Sequence, residues 1–124
     1  MQKAGDLAGA RDALEASLKL MPSQVPARVM LGNVYLGLKD AKAAQDQFEA
    51  AMLVDDKNVD AHLGLAKALM AAGEAKEAVE ELEPLAKSHP ENVEVWELLS
   101  KAYAATGKRA EADAAGKRAG ELRH

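Results

Sequence analysis

Three histidines, His62, His89 and His124, are the side chains in this sequence best suited to metal or general-base chemistry. No two of them share the close spacing that presents paired imidazoles to one metal, and with no cysteine there is no thiolate to complete a site, so no metal centre is expected. Gly107-Lys108 and Gly116-Lys117 hold two residue types found in a phosphate loop. The earlier glycine, the following Ser or Thr and a preceding strand are all missing, so nucleotide binding is not expected. Glutamates crowd the stretch EAVEELE at 77–83, but at helical surface spacing and without a His, Ser or Cys partner for acid-base or nucleophilic work. They read as a solvated helix face. Lys108, Arg109, Lys117, Arg118 and Arg123 gather near the end of the chain, yet acids are interleaved and no aromatic platform accompanies them, which argues against nucleic acid as a partner. The expectation is a chain with no catalytic residue and no cofactor.

The elements carrying these residues follow from composition. Alanine and leucine dominate, aromatic residues make up 3% of the 124 positions, and β-branched residues are sparse, a helix-forming balance. The net charge is −4, with both signs mixed along the sequence, as on an ordinary soluble surface. The opening MQKAGDLAGARD lacks the apolar segment of a signal peptide, and no run approaches a membrane span. The expectation is a soluble, single-domain protein without direct membrane insertion. Its compartment, cytoplasmic or periplasmic, stays open.

A period of 34 residues organises the sequence. Ala10, Ala44, Ala78 and Ala112 share one register, as do Leu31, Leu65 and Leu99, and Val25, Val59 and Val93. Gly32, Ala66 and Ser100 form a column of small residues; Tyr35, Leu69 and Tyr103 form another. Gly5, Gly73 and Gly107 align, with Lys39 as the exception, and Gly73 and Gly107 are expected to end the first helix of their pairs in a left-handed turn. Asp6, Asp40 and Glu74 come next, where their charge suits the start of a second helix. Apolar spacing within a period predicts helices over Val25 to Leu38 and over Ala41 to Val54. Pro22 and Pro90 are expected to stop the second helices.

Trp96, Leu99, Ser100, Tyr103, Ala112 and Ala119, together with Leu31, Gly32, Tyr35, Ala44, Phe48 and Ala51, follow a pattern that resembles the tetratricopeptide repeat (TPR) family. The resemblance covers essentially the whole chain. It implies an all-α superhelix of antiparallel helix pairs: a half repeat at 1–24 with only its second helix, then repeats at 25–58, 59–92 and 93–124. Trp96, the one tryptophan, sits where the family expects it and is expected to be largely buried, while Arg28 and His62 take its column in the other repeats. The alanine-rich composition is similar to that of bacterial TPR proteins.

The family's groove is lined by the second, fifth, ninth and twelfth positions of each repeat. Transferred here, this implies a peptide-binding surface of Val29, Asn33, Leu36, Asp60, Leu63, Lys67, Met70, Glu94, Glu97 and Lys101, flanked by Pro26 and Ala104. Asn33, Lys67 and Lys101 would form a polar ladder, with Val29, Leu36, Leu63 and Met70 as apolar pockets. The carboxylate clamp of chaperone-binding relatives is not matched: Val29, Asn33, Gly64, Glu94 and Leu98 occupy its positions, and only Asn33 fits. The resulting expectation is a non-enzymatic interaction module for another protein or peptide. The alternatives are a spacer or self-assembly unit, and an accessory segment of an enzyme whose catalytic part lies elsewhere.

Two features depart from the pattern. Pro84 falls inside EAKEAVEELEPLAK, where it is expected to bend or split that helix and reads as a local kink. Gly116 and Gly120 weaken the last helix, each by about 1 kcal/mol relative to alanine, so its end is expected to fray. The first helix, with Leu7, Leu14 and Leu18, is expected to lack its partner and the chain to be an excerpt of a longer array. The open N-terminal end would then be covered by a second copy, giving a homo-oligomer. Light scattering across a dilution series should show a concentration-dependent dimer, whereas a monomer at every concentration would contradict self-pairing.

Overall fold

The computed structural model describes residues 4–123, so expectations that involve Met1 and His124 lie outside it. Among the described residues there are seven helices and no strand: α1 (Ala4–Leu20), α2 (Val25–Gly37), α3 (Ala41–Val54), α4 (Val59–Ala71), α5 (Ala75–Ser88), α6 (Val93–Ala105) and α7 (Arg109–Leu122). Each helix packs on the next in sequence, and α4 also touches both α2 and α6. The even-numbered helices therefore form one continuous layer, backed by the odd-numbered ones, as in a helical solenoid.

Local chemistry sets the boundaries. The side chains of Asn58 and Asn92 cap α4 and α6 by accepting from the backbone N–H of Ala61 (2.9 Å) and Val95 (3.2 Å). Asp40 caps α3 through Ala43 N–H at 3.1 Å, while Glu74, one period later, makes no capping hydrogen bond. The turns after α2, α4 and α6 are closed by the same bond three times. Asp40 N donates to Tyr35 O (2.9 Å), Glu74 N to Leu69 O (2.8 Å) and Lys108 N to Tyr103 O (2.9 Å). This geometry needs a left-handed residue, supplied by Gly73 (φ 79°), Gly107 (φ 81°) and, against preference, Lys39 (φ 63°). Gly5, in the same column, lies within α1, as expected for a first helix that begins near Ala4.

Pro84 does not split α5, which runs from Ala75 to Ser88. The proline and Glu80, whose carbonyl loses its intrahelical partner, are both exposed to water, and the buried Leu82, Leu85 and Ala86 hold the helix on its core side. Despite Gly116 and Gly120, α7 runs continuously to Leu122, with Ala112, Ala115 and Ala119 buried. Trp96 is half-buried rather than largely buried, packed at the edge of the core formed by Leu82, Val95 and Leu99. At the N-terminal end Leu18 is buried, and Leu7 and Leu14 are half-buried. Leu7 packs so close to Gly37 that an added Cβ there would stand 3.0 Å from its Cδ1.

The core is built from complementary sizes. Phe48 of α3 is fully buried and packs against Gly32 of α2, where a Cβ would come within 2.6 Å of the ring. One repeat on, the same two positions hold Leu82 and Ala66, both in one buried cluster. In the last repeat they hold Gly116 and Ser100, and a Cβ on Gly116 would meet Ser100 Oγ at 3.2 Å. Phe with Gly and Leu with Ala fill the space between their helices with complementary sizes, whereas Gly116 and Ser100 are both small and leave room for no more than the serine hydroxyl between the helices. Phe48 also abuts Gly64 of α4, where a Cβ would overlap the ring.

Two outcomes follow. In Gly64→Ala, the helix-propensity gain of about 1 kcal/mol is outweighed by overpacking against an immobile ring, for a net loss of about 1 to 3 kcal/mol. Adding Phe48→Leu should recover part of it, and urea unfolding of both single variants and the double variant would read a coupling of about 1 kcal/mol. Lys39→Gly should stabilise by about 0.5 to 1 kcal/mol by relieving the left-handed strain, read in the same way.

Candidate peptide-binding groove

The layer of even-numbered helices leaves an open concavity of about 470 Å³ on its free face. Its lining comes from three successive repeats: Pro26, Val29, Met30 and Asn33 of α2, then Asp60, Leu63, Gly64 and Lys67 of α4, with Asn58 at the cap of α4 and Glu94 of α6. Side chains one turn apart on each helix reach the same space because i, i+3 and i+4 positions share a face.

Of the residues assigned to the groove from sequence, Val29, Asn33, Asp60, Leu63, Lys67 and Glu94 are brought together here, whereas Leu36, Met70, Glu97 and Lys101 stand outside this concavity. Asn33, Asp60 and Glu94 are exposed, and Val29 and Lys67 are half-buried. Leu63 is 3% exposed and belongs to the core with Leu82 and Val95, so it contributes the floor rather than an open pocket. Leu36 and Met70 are half-buried against the core clusters. Sequence columns missed Asn58, whose place as a cap just before Val59 was its only signal, and helical spacing puts Met30 on a stripe with Ala27, Leu31, Val34 and Tyr35 that faces the neighbouring helices, whereas it is 56% exposed and lines the concavity.

The charged groups do not form a ladder of free cations. Lys67 Nζ lies 2.5 Å from Glu94 Oε2, tying α4 to α6 across the concavity. Glu97 is paired with Arg123 at 2.5 Å, and that guanidinium holds its carboxyl below the usual carboxylate range. Among the described residues Lys101 and Asp60 make no ion pair, which leaves Asn33, Asp60 and Lys101 as the open polar groups of this face. On the opposite side of the even-numbered helices, Tyr35 donates to Glu15 of α1 and Tyr103 to Glu83 of α5 (2.5 Å). Both phenols are raised to about 12. The hydrogen bond leads burial as the cause at Tyr35, and burial leads the hydrogen bond at Tyr103. These bonds join neighbouring repeats behind the groove.

No curated protein is significantly similar to this sequence. Known structures share its fold. MamA has 24% identity and a TM-score of 0.85, over 95% of this chain and 64% of that one. A thermophilic TPR protein of Thermus thermophilus, TTC0263, has 21% identity and a TM-score of 0.83, over 95% and 66%. A tetratricopeptide repeat protein from Parabacteroides merdae has 25% identity and a TM-score of 0.77, over 90% and 43%. The chain thus spans less than two thirds of each of these relatives. No helix among the described residues is long and apolar enough to cross a membrane. Residues 1–57 and 36–102 match the sequence profile of the tetratricopeptide repeat, and the helix pairs and turns described above have that architecture. The chain belongs to the tetratricopeptide repeat family, as an all-α solenoid of the kind that serves as a protein-interaction scaffold.

Proposed function

We propose that this chain is a non-enzymatic adaptor that holds an extended peptide or a partner helix in the concavity lined by α2, α4 and α6. The observation that carries this reading is convergence: three successive repeats present side chains to one open space. Asn33 offers both a donor and an acceptor to a bound backbone. Val29 and Met30 supply apolar surface beside it. Lys67 is positioned to exchange Glu94 for an acceptor on the ligand, because an exposed ion pair holds its partners by less than about 1 kcal/mol.

A second reading, contact through an edge of the solenoid as a spacer or self-assembly unit, is favoured by Leu20, Met21, Leu53 and Val54. These lie at or just past the ends of α1 and α3 and are all more than half exposed.

Peptides selected on the protein from a random displayed library separate the two. Under the groove reading, Lys67→Glu should weaken the selected peptides by about tenfold or more, equivalent to about 1.4 kcal/mol. Its unfolding free energy should stay within about 0.5 to 1 kcal/mol of the parent. Unchanged affinity would move the contact off the groove. Loss of binding in Leu53→Asp with Lys67→Glu unaffected would place it on the edge.

A further inference from the structure

The three residues of the tryptophan column perform one task with different chemistry. Arg28 Nε donates to Pro22 O at 3.1 Å, and Trp96 Nε1 donates to Pro90 O at 2.8 Å. His62 Nε2 lies 2.6 Å from Asp56 O, at the same register between them. In each case an even-numbered helix ties down the carbonyl of the loop that leads into it. A second bond recurs on the forward side, where Arg28 Nη1 donates to Gln47 Oε1 at 3.0 Å and His62 Nδ1 contacts Glu81 Oε1. Arginine and tryptophan keep their N–H groups at every accessible pH. Histidine does not.

We propose that His62 is a pH-dependent latch of the α4–α5 helix pair, closed when the imidazole carries both protons and half-open when it carries one. The geometry gives the reason. A backbone carbonyl only accepts, and an ionised carboxylate only accepts, so two ring nitrogens facing Asp56 O and Glu81 Oε1 both need a proton. A neutral ring satisfies one and turns a lone pair on the other.

The surroundings act in the same direction. Asp56 and Lys57 of the α3–α4 loop, Glu80 and Glu81 of α5, and His89 beyond its end line one cavity together with the ring. Glu49 is the acid that α3 offers at the register by which Glu83 stands beside Trp96. Burial disfavours the charged ring, but the Asp56 carbonyl and the Glu81 carboxylate outweigh it, and the pKa is raised above the ordinary 6.5. A folded-state pKa above the unfolded one means that the stabilisation is complete below the unfolded value and is lost as pH rises through the folded value. The hold of α4 on its entering loop and on α5 therefore loosens on the alkaline side, while the loops held by Arg28 and Trp96 are unaffected.

The column itself supplies the controls, His62→Arg and His62→Trp. Thermal unfolding is followed from about pH 5.5 to about pH 8.5, a range that spans the histidine titration. The parent should lose a few degrees more of Tm than either variant across that range. Slopes common to all three proteins belong to other groups. Independently, the His62 ring should titrate above 6.5 by NMR in the parent, with its signal assigned through His89→Gln and His124→Gln. Equal Tm losses in the parent and in whichever variant folds, or a His62 that titrates at or below 6.5, would overturn the latch.

Discussion

The arrangement of this solenoid depends on one side chain that must be accommodated from two directions. Phe48 is the largest fully buried residue, and its ring fills the space between α2 and α4 only because Gly32 and Gly64 offer no Cβ. Packing at interior density tolerates neither a void nor an overlap there. Helix α3 thus meets both its own partner α2 and the next repeat through the same ring. The layer of even-numbered helices, and the concavity on its free face, follow from how closely α2 and α4 can lie.

Around that core, polar side chains determine how successive helix pairs are held. Tyr35 and Tyr103 bind Glu15 and Glu83 of the preceding odd-numbered helices, and the residue of the same column in the third repeat, Leu69, has no hydroxyl to do so. The Arg28, His62 and Trp96 column fastens each entering loop. The interface that lacks a tyrosine is also the one whose loop is held by histidine. Apolar packing spans it instead, where Phe48, Leu65, Ala68 and Leu69 share one cluster.

Much of the fold was legible in the sequence because a 34-residue period repeats the same local requirements. The valines that open α2, α4 and α6, the alanines of the odd-numbered helices and the glycines after the turns each mark a position where one residue type suffices. What columns cannot show is compensation across them. Gly64 shares a register with Met30 and Leu98, so nothing in its column marks it as the seat of Phe48. Gly116 reads as a weakness until Ser100 is seen against it. His62 reads as a surface or packing residue because its partners are a backbone oxygen and an acid on another helix. Which positions line the groove came from family resemblance. That Lys67 is engaged by Glu94, and that Leu63 is floor rather than pocket, depends on how neighbouring helices are set against one another, which spacing along one helix does not specify.

The pairing of Phe48 with Gly64 also fixes the order of the repeats. In a solenoid of identical units any repeat can be duplicated, removed or moved, because each interface is the same. Here the unit that carries Phe48 has a glycine waiting in the next one, and the register that supplies it holds methionine in its own repeat and leucine in the last. Joining 25–58 directly to 93–124 would set the ring against Leu98, and repeating 25–58 would set it against Met30. The backbone is periodic, but the interfaces are not interchangeable, so the array behaves as a sentence with fixed word order rather than as a string of equivalent beads.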